Sequence, residues 1–432
     1  MNFKPILFEE FEKELNEIAC FEDYPHLGLS LSGGPDSLAL MCLLKIWVHK
    51  NNGKLTAFNV NHKIRFNSNE ESIKVKNIAE KSGIECIVLN WDKEKPRAGL
   101  MECARDKRYE LILNECKKRK ILHLMLGHHL NDNAETYIMR SKRIGNLTGL
   151  TSIPLIREIK HLRLIRPLLK FRKERLLKTC TYFGKKWIDD PSNSDSLYER
   201  VRIRQCLSSK AKNTINQISI KIKKKILERK RIENTVSNFF INFSEFFPYG
   251  VFKTNKSEFL KLSKEEQLIV IKKLLVTSSA TIYPPKKKSV EYLVNQIIEK
   301  DFSVNTLHSS IIKIQKNNIF VLREHSKTSK NMSLELFVNK GISLKWDQRF
   351  TIFSKKYDLK CNSINQKNWD RIREYFFKKE KRILPLSIIK SLPIISVEKL
   401  YFIPYITDSD ELKKYDINFF FNPPITLTSN NF

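Results

Sequence analysis

A short apolar run, Leu27–Leu31, leads directly into Ser32-Gly33-Gly34-Pro35-Asp36-Ser37, and a helical pattern begins straight after it. That order of strand, glycine turn and helix N-terminus builds an anion site. Two consecutive glycines let the backbone reach positive φ and approach a ligand closely. The N–H groups of the turn and of the first helical turn then point at one spot, which the helix dipole also makes favourable for negative charge. Asp36 and Ser37 are placed to cap the helix. No Lys follows the glycines, so the pattern is not the G-x-x-x-x-G-K-[ST] phosphate loop. On these residues alone a plain turn is the competing reading, since Gly, Pro, Asp and Ser all favour turns.

The chain around the loop alternates. Strands are expected at Leu27–Leu31, Leu55–Val60, Cys86–Leu89 and Leu122–Leu126, with helices at Leu38–His49, Glu70–Ser82, Leu100–Arg119 and Asn131–Lys142. An amphipathic helix over Phe3–Ile18 precedes them. Apolar runs of four to six residues separated by helices predict a doubly wound, mostly parallel α/β sheet covered on both faces. Ligands bind such sheets beyond the carboxyl ends of the strands. Three turns therefore converge on one site: Ser32–Ser37, Asn61–Arg65 and Gly127–Asp132.

The third turn carries most of the titratable chemistry. Gly127-His128-His129-Leu130-Asn131-Asp132-Asn133-Ala134-Glu135-Thr136 follows a strand and opens a helix. His129, Asp132 and Glu135 are three apart and share one face near the helix N-terminus. Two carboxylates and an imidazole there suit proton transfer or Mg²⁺ held against phosphates. A cap with dipole-favoured acids explains the acids alone, but explains the paired histidines poorly. Arg105 and Arg108 are neighbours on one helical face, suited to phosphate or carboxylate groups or simply to solvent. His62 and Arg65 follow the second strand on the ligand side.

The 432-residue chain as a whole is strongly basic, with a formal charge of +31 and a pI near 9.7. That balance indicates a polyanionic partner, nucleic acid before acidic membrane. Only 12 glycines and many Lys, Asn and Ile also point to a compositional bias that accounts for part of the charge. Between Lys210 and Arg231 there are nine Lys or Arg and one Glu, with Ile interleaved, as in a basic amphipathic helix. Helical patterns continue to Lys300, Ser310–Glu324 reads as a hairpin, and Ser326–Ser333 reads as a linker. The division expected is an α/β domain over 1–205, a mainly helical domain over 206–325 and a small α+β C-terminal domain over 334–432. The eight cysteines form no C-x-x-C pair, which argues against a zinc ribbon, an iron–sulfur cluster or a disulfide framework. With no signal-peptide pattern and no apolar run near ~18 residues, a cytoplasmic protein without a membrane span is expected.

Taken together the motifs resemble a family. Ser32–Ser37 matches the SGGxDS signature of the PP-loop, or N-type, ATP pyrophosphatases. NHKIR at Asn61–Arg65, ARDKRY at Ala104–Tyr109, GHHLNDNAET at Gly127–Thr136 and DPSN at Asp190–Asn193 follow in the order and spacing of the bacterial tRNA(Ile)-lysidine synthetases. The match covers about residues 25–205 and loosens beyond. Two positions depart from the family pattern. Val201 replaces an Asn in Arg200-Val201-Arg202-Ile203-Arg204, and Leu386 replaces a Trp.

The resemblance implies a two-step ligation with ATP and Mg²⁺. ATP adenylates the C2 carbonyl oxygen of the wobble cytidine in a tRNA(Ile) bearing the CAU anticodon, and the ε-amine of free lysine then displaces AMP. It further implies that Ser32, Gly33, Gly34, Pro35, Asp36 and Ser37 bind ATP, with Asp36 also positioning Mg²⁺. Arg105, His129, Asp132 and Glu135 belong with Asp36 to the catalytic set, while His62, Arg65, Arg108, Asn193, Arg200 and Arg204 contact substrates. A tRNA thiolase of the same superfamily is the nearest rival. An RNA-binding protein with a non-functional nucleotide site is the other.

Overall fold

The computed structural model describes residues 3–64, 66–92, 99–142, 151–159, 161–188, 199–209, 213–281, 283–299, 304–327, 335–364, 369 and 384–427. Two units are distinguished, Met1–Arg229 and Lys230–Phe432.

In the first unit the apolar runs become strands and the patterned stretches become helices. The order is α1 (Phe8–Ile18), β1 (His26–Ser30), α2 (Pro35–Lys50), β2 (Lys54–Asn61), α3 (Ser68–Glu80), β3 (Glu85–Asn90), α4 (Leu100–Lys118), β4 (His123–Met125) and α5 (Leu130–Lys142). Then follow β5 (Ile156–Ile159), β6 (Leu162–Ile165), α6 (Lys173–Tyr182) and α7 (Glu199–Ser209). Six strands form one sheet in the order β3-β2-β1-β4-β6-β5. All neighbours are parallel except β5 and β6.

This order puts a topological switch beside β1, because the chain leaves it toward β2 on one side and returns to β4 on the other. At such a point the turns after the two strands diverge and leave a crevice. The turns concerned are the Ser32–Ser37 loop and Gly127–Asp132.

Both sheet faces are covered. On one lie α2, α3 and α6, with Leu27, Leu29, Leu38, Leu40, Leu43, Leu44, Val75, Ala79 and Leu176 in a single core. Helix α2 is apolar on nearly every side because α1 and α6 cover what the sheet does not. On the other face α4 packs Ile112, Leu113 and Cys116 onto Phe58, Leu124 and Leu164. Each fully buried Leu of this kind contributes about 1.5–3 kcal/mol. Helix α1 starts at Phe8, later than the pattern predicts, because Leu7 is held in an extended conformation.

The boundary between the units falls within helix α8 (Asn213–Phe243), 31 residues long, which carries most of the basic run. Its positions Ile215, Ile218 and Ile222 pack with Ala134, Ile203 and Leu207 in the first unit. Lys210 lies outside the described residues.

The second unit contains more strand than its patterns predict. A five-stranded sheet runs in the order β7 (Ser244–Phe247), β8 (Val251–Asn255), β11 (Asn318–Arg323), β10 (Ser310–Gln315), β9 (Val304–Leu307). The expected hairpin is β10 and β11. The β7–β8 hairpin falls where a helix is expected, and its turn at Pro248–Gly250 puts Gly250 at φ +81. Helices α9 (Lys256–Lys261), α10 (Lys264–Ser279) and α11 (Lys287–Ile298) pack on this sheet around Phe259, Val270, Leu274 and Val294. A capping box between Ser263 and Glu266 starts α10.

The C-terminal part builds a four-stranded sheet from β12 (Leu336–Val338), β15 (Leu359–Ser363), β16 (Pro393–Val397) and β17 (Leu400–Phe402). A three-stranded one joins β13 (Leu344–Trp346), β14 (Phe350–Phe353) and β18 (Asn418–Phe421). The expected helix over Asn368–Lys381 and the expected linker over Ser326–Ser333 lie wholly or mostly outside the described residues. No helix among the described residues is long and apolar enough to cross a membrane.

Candidate active site

The loop after β1 is shaped by close packing as much as by glycine flexibility. Gly33 has φ +82, and a Cβ there would stand 2.5 Å from the Val75 Cγ2 on α3. The Gly33 carbonyl accepts from the Ile188 N–H at 3.0 Å, and the Pro35 carbonyl accepts from the Cys180 thiol at 3.0 Å. Contrary to expectation, neither Asp36 nor Ser37 is the cap of α2. Gly34 occupies the N-cap without a side-chain bond and Pro35 is the first helical residue. Proline suits that place because its missing N–H has no partner in any helix. Ser37 instead braces the loop: its Oγ donates to the Gly34 carbonyl at 3.0 Å and accepts from the Ser32 N–H at 3.3 Å. The N–H groups of the first turn have no intrahelical partner, and so remain directed at the mouth of the loop.

The turn after β4 meets this loop directly. A Cβ on Gly127 would lie 3.1 Å from the Asp36 carbonyl carbon and the Ser37 nitrogen, so only glycine allows the two backbones this approach. Two residues on, His129 caps α5 by an unusual capping box. The Asp132 N–H donates to His129 Nδ1 at 3.3 Å, and the His129 N–H donates to Asp132 Oδ2 at 3.1 Å. With Nδ1 accepting, the other ring nitrogen faces acid: Nε2 lies 3.5 Å from Asp36 Oδ2 and 3.5 Å from Asp132 Oδ2. Burial opposes a charge on His129, yet Asp132 and Asp36 outweigh it and hold its pKa above the ordinary histidine value. Burial likewise favours a neutral Asp132, but His129 and Arg200 prevail and pull it below the usual aspartate value. His128 behaves oppositely. Burial lowers it to about 4, helped by Arg166, Arg200 and Arg105 against Asp132.

Glu135, one helical turn past Asp132, is 1% exposed and fully engaged. Arg200 Nε donates to its Oε2 at 2.7 Å, Arg204 Nε to its Oε1 at 2.8 Å, and Arg200 Nη2 reaches Asp132 Oδ1 at 2.6 Å. Helix α7 supplies both arginines because they are four apart on one face, with Val201 and Ile203 buried beside them. The departure at position 201 thus places an apolar side chain in a buried position.

On the β1–β2 side of the loop lies a cavity of about 670 Å³, lined by Ser32, Asn59, Asn61, His62, Glu71, Val75 and Arg108 among others. Asn59 bonds the Leu31 carbonyl at 2.9 Å, and its Oδ1 is buried without a partner. The structure thus brings Ser32 and His62 to one cavity with Arg108. It groups Asp36, His129, Asp132, Glu135, Arg200 and Arg204 around the switch point. The Arg105 guanidinium lies 5.8 Å from the centre of the Tyr109 ring, and its charge acts on His128. Arg65 and the Asp190–Asn193 motif lie outside the described residues. Asn59 and Glu71 are lining residues that the motifs do not mark.

Residues 7–211 match a family model described as a PP-loop domain. The chain is 30% identical to the tRNA(Ile)-lysidine synthase of Rickettsia akari (strain Hartford), over 96% of this chain and 97% of that one. It is 26% identical to the tRNA(Ile)-lysidine synthase of Orientia tsutsugamushi (strain Boryong), with the same coverage. A solved structure of the U34-tRNA thiolase NcsA from Methanococcus maripaludis with its 4Fe-4S cluster is similar at a TM-score of 0.43 and 19% identity. It covers 50% of this chain and 77% of that one.

Proposed function

Given that the chain belongs to the tRNA(Ile)-lysidine synthase family, we propose that it joins free lysine to C2 of the wobble cytidine of a tRNA(Ile) with a CAU anticodon. ATP is split to AMP and pyrophosphate through an adenylated cytidine, and the product reads AUA in place of AUG. The observation that carries this reading is the junction of Asp36 with His129 and Asp132 at the mouth of the glycine loop.

In the first step the cytidine O2 attacks the α-phosphorus of ATP and pyrophosphate leaves. Ser32, Gly33, Gly34 and Ser37 cradle the phosphates, and the cavity lined by Asn59, Asn61 and His62 receives the rest of the nucleotide. Preorganised N–H donors stabilise the charge that grows on the leaving group. Asp36 Oδ1 is buried and has no hydrogen-bond partner, which fits a hard cation held by one carboxylate together with phosphate oxygens. Mg²⁺ bound there would neutralise phosphate charge.

In the second step the ε-amine attacks C2 and AMP leaves. A lysine side chain is an ammonium near neutral pH, with an ordinary pKa of ~10.4, so it must lose a proton before it attacks. Asp132, held anionic, attracts the ammonium and accepts from it. His129 keeps Asp36 and Asp132 in register through its Nε2. Glu135 acts by holding Arg200 and Arg204 over the site, and Arg105 meets the phosphates or the lysine carboxylate. The helix α8 and the C-terminal part, 334–432 in the finer division, dock the body of the tRNA.

Thiolation finds less support in the cysteines. Burial pushes the thiols of Cys86 up to about 11 and of Cys116 and Cys361 up to about 12, and Cys180 is likewise at about 12. Such thiols make poor nucleophiles. The adenylation step is tested by withholding lysine from ATP labelled in its α-phosphate and unmodified tRNA(Ile). Label that stays with the RNA and is released as AMP on adding lysine supports the reading. Absence of any RNA-bound label counts against it.

A further inference from the structure

Helix α6 stands behind the glycine loop, and the chemistry above leaves it unused. It is fixed along its whole length. At its start the Lys173 N–H donates to Asn131 Oδ1 at 3.2 Å, and the Phe171 carbonyl accepts from the Leu130 N–H at 2.9 Å. Leu130 and Asn131 lie between His129 and Asp132, at the opening of α5. Further along, the Arg175 guanidinium grips both oxygens of Glu10 at 2.7 and 2.6 Å, and Thr179 Oγ1 accepts from the Ile6 N–H at 2.9 Å. Past its end the Lys185 ammonium donates to Ser82 Oγ at 2.7 Å. Leu176 and Cys180, four apart on one face, are wholly buried in the core shared with α2.

Two donors from this segment end on carbonyls of the loop. The Cys180 thiol donates to the Pro35 carbonyl at 3.0 Å, and the Ile188 N–H donates to the Gly33 carbonyl at 3.0 Å. In a planar trans peptide the C=O and the N–H point in opposite directions. The Gly33 carbonyl shares its peptide with the Gly34 N–H, and the Pro35 carbonyl shares its peptide with the Asp36 N–H. Holding these carbonyls from behind therefore aims the two N–H groups forward. A bond at the carbonyl also polarises the peptide and makes its N–H a better donor. The carbonyl between them, that of Gly34, is taken by Ser37 Oγ at 3.0 Å and by the Leu38 N–H at 3.1 Å. Its peptide ends in proline and has no N–H to aim.

We infer that Cys180 is a positioning residue for the nucleotide loop. Its bond to the Pro35 carbonyl sets the direction of the Asp36 N–H toward the phosphates, and refers the loop to the same helix that holds the opening of α5. The inference rests on this loop being the seat of the ATP phosphates. The thiol suits the post because it stays protonated. Burial, with Cys42 and Asp36 nearby, pushes it up to about 12, so it remains a donor at any working pH. A carbonyl has two lone pairs, so the thiol need not displace a helical partner of Pro35.

The test measures binding of α,β-methylene ATP, an analogue that cannot be cut at the bond concerned, to the full-length chain by calorimetry. A thermal melt of each variant shows that it is folded. Cys180→Ala removes the donor and should weaken binding of the analogue about 3-fold, the scale of one weak hydrogen bond. Cys180→Ser keeps a donor at the same place and should restore the affinity. A packing role alone predicts the opposite order, because a buried hydroxyl is tolerated less well than a methyl. Serine no better than alanine, or alanine binding the analogue as the wild type does, would overturn the inference. So would a wild type without affinity for the analogue, which would also take the nucleotide away from the loop. Binding of the analogue needs neither RNA nor lysine, so a chain that fails to ligate lysine still decides this inference.

Discussion

Nε2 of His129 lies 3.5 Å from Oδ2 of Asp36, so the helix after β4 reaches across the switch point to the loop after β1. One imidazole thereby ties the nucleotide loop to the acid pair of α5. Asp36→Ala should lower lysine incorporation by at least ~100-fold, the scale of a missing charge-positioning group. The fold should survive, because Asp36 is partly exposed and contributes nothing to the core. His129→Gln should lower activity comparably and also cost about 1 kcal/mol, because the helix cap goes with it. Activity assays paired with thermal melts separate the two effects.

Glu135 is the acceptor for two arginines and is itself almost wholly buried. Removing one partner of a fully buried pair costs ~3–5 kcal/mol. Here the arginine side chains keep 36% and 29% of their surface in water. Glu135→Gln should accordingly cost about 2 kcal/mol, the discount reflecting solvent screening. Arg204→Gln in the same background should cost less than it does alone, since its acceptor is already gone. Urea unfolding of the single and double variants measures that coupling.

The two loop glycines should fail differently. Gly33→Ala forces a side chain to φ +82 and drives it to 2.5 Å from Val75 Cγ2, so it should destabilise the first unit as well as abolish activity. Adding Val75→Ala should recover part of that stability. Gly34→Ala meets nothing closer than Ser32 Oγ at 3.7 Å. It should melt like the wild type and raise the KM for ATP, because the methyl projects toward the mouth of the loop.

Much of this site is readable from local pattern, and the reasons are physical. The glycine loop, the apolar strands and the His129–Glu135 spacing are each set within about ten residues, so they survive without knowledge of the sheet order. Residues that matter through distant packing are different. Asn59 becomes a lining residue only once β1 and β2 are adjacent. Arg166 reads as a surface residue until the hairpin of β5 and β6 encloses it. The cap formed by His129 and Asp132 uses residue types other than the Ser and Glu of the usual capping box, so pattern favours Asp36 and Ser37 for capping elsewhere and overlooks it. In the second unit, Pro248-Tyr249-Gly250 between two apolar pairs is a usable turn signal for the β7–β8 hairpin, masked by the long helical pattern before it.

The pH dependence of stability should carry the mark of His128. Its pKa falls from 6.5 to about 4 on folding. The folded state therefore resists a proton that the unfolded chain accepts. Stability from this group is complete above the unfolded value and is lost as pH drops from 6.5 toward 4. The loss is at most about 3 kcal/mol at 1.36 kcal/mol per pKa step. His128→Asn should flatten the stability profile across that window. Asp132, pulled below its usual value, adds a further loss at lower pH that the variant retains.

The central claim is ligation of lysine to RNA at the Asp36–His129 junction. The direct measurement incubates the purified chain aerobically with ATP, Mg²⁺, labelled lysine and unmodified tRNA(Ile) bearing CAU, then scores label in the RNA. The account predicts stoichiometric label at the wobble cytidine, dependent on ATP and absent with Asp36→Ala. RNA left without label, or labelled equally by the Asp36→Ala variant, would contradict it.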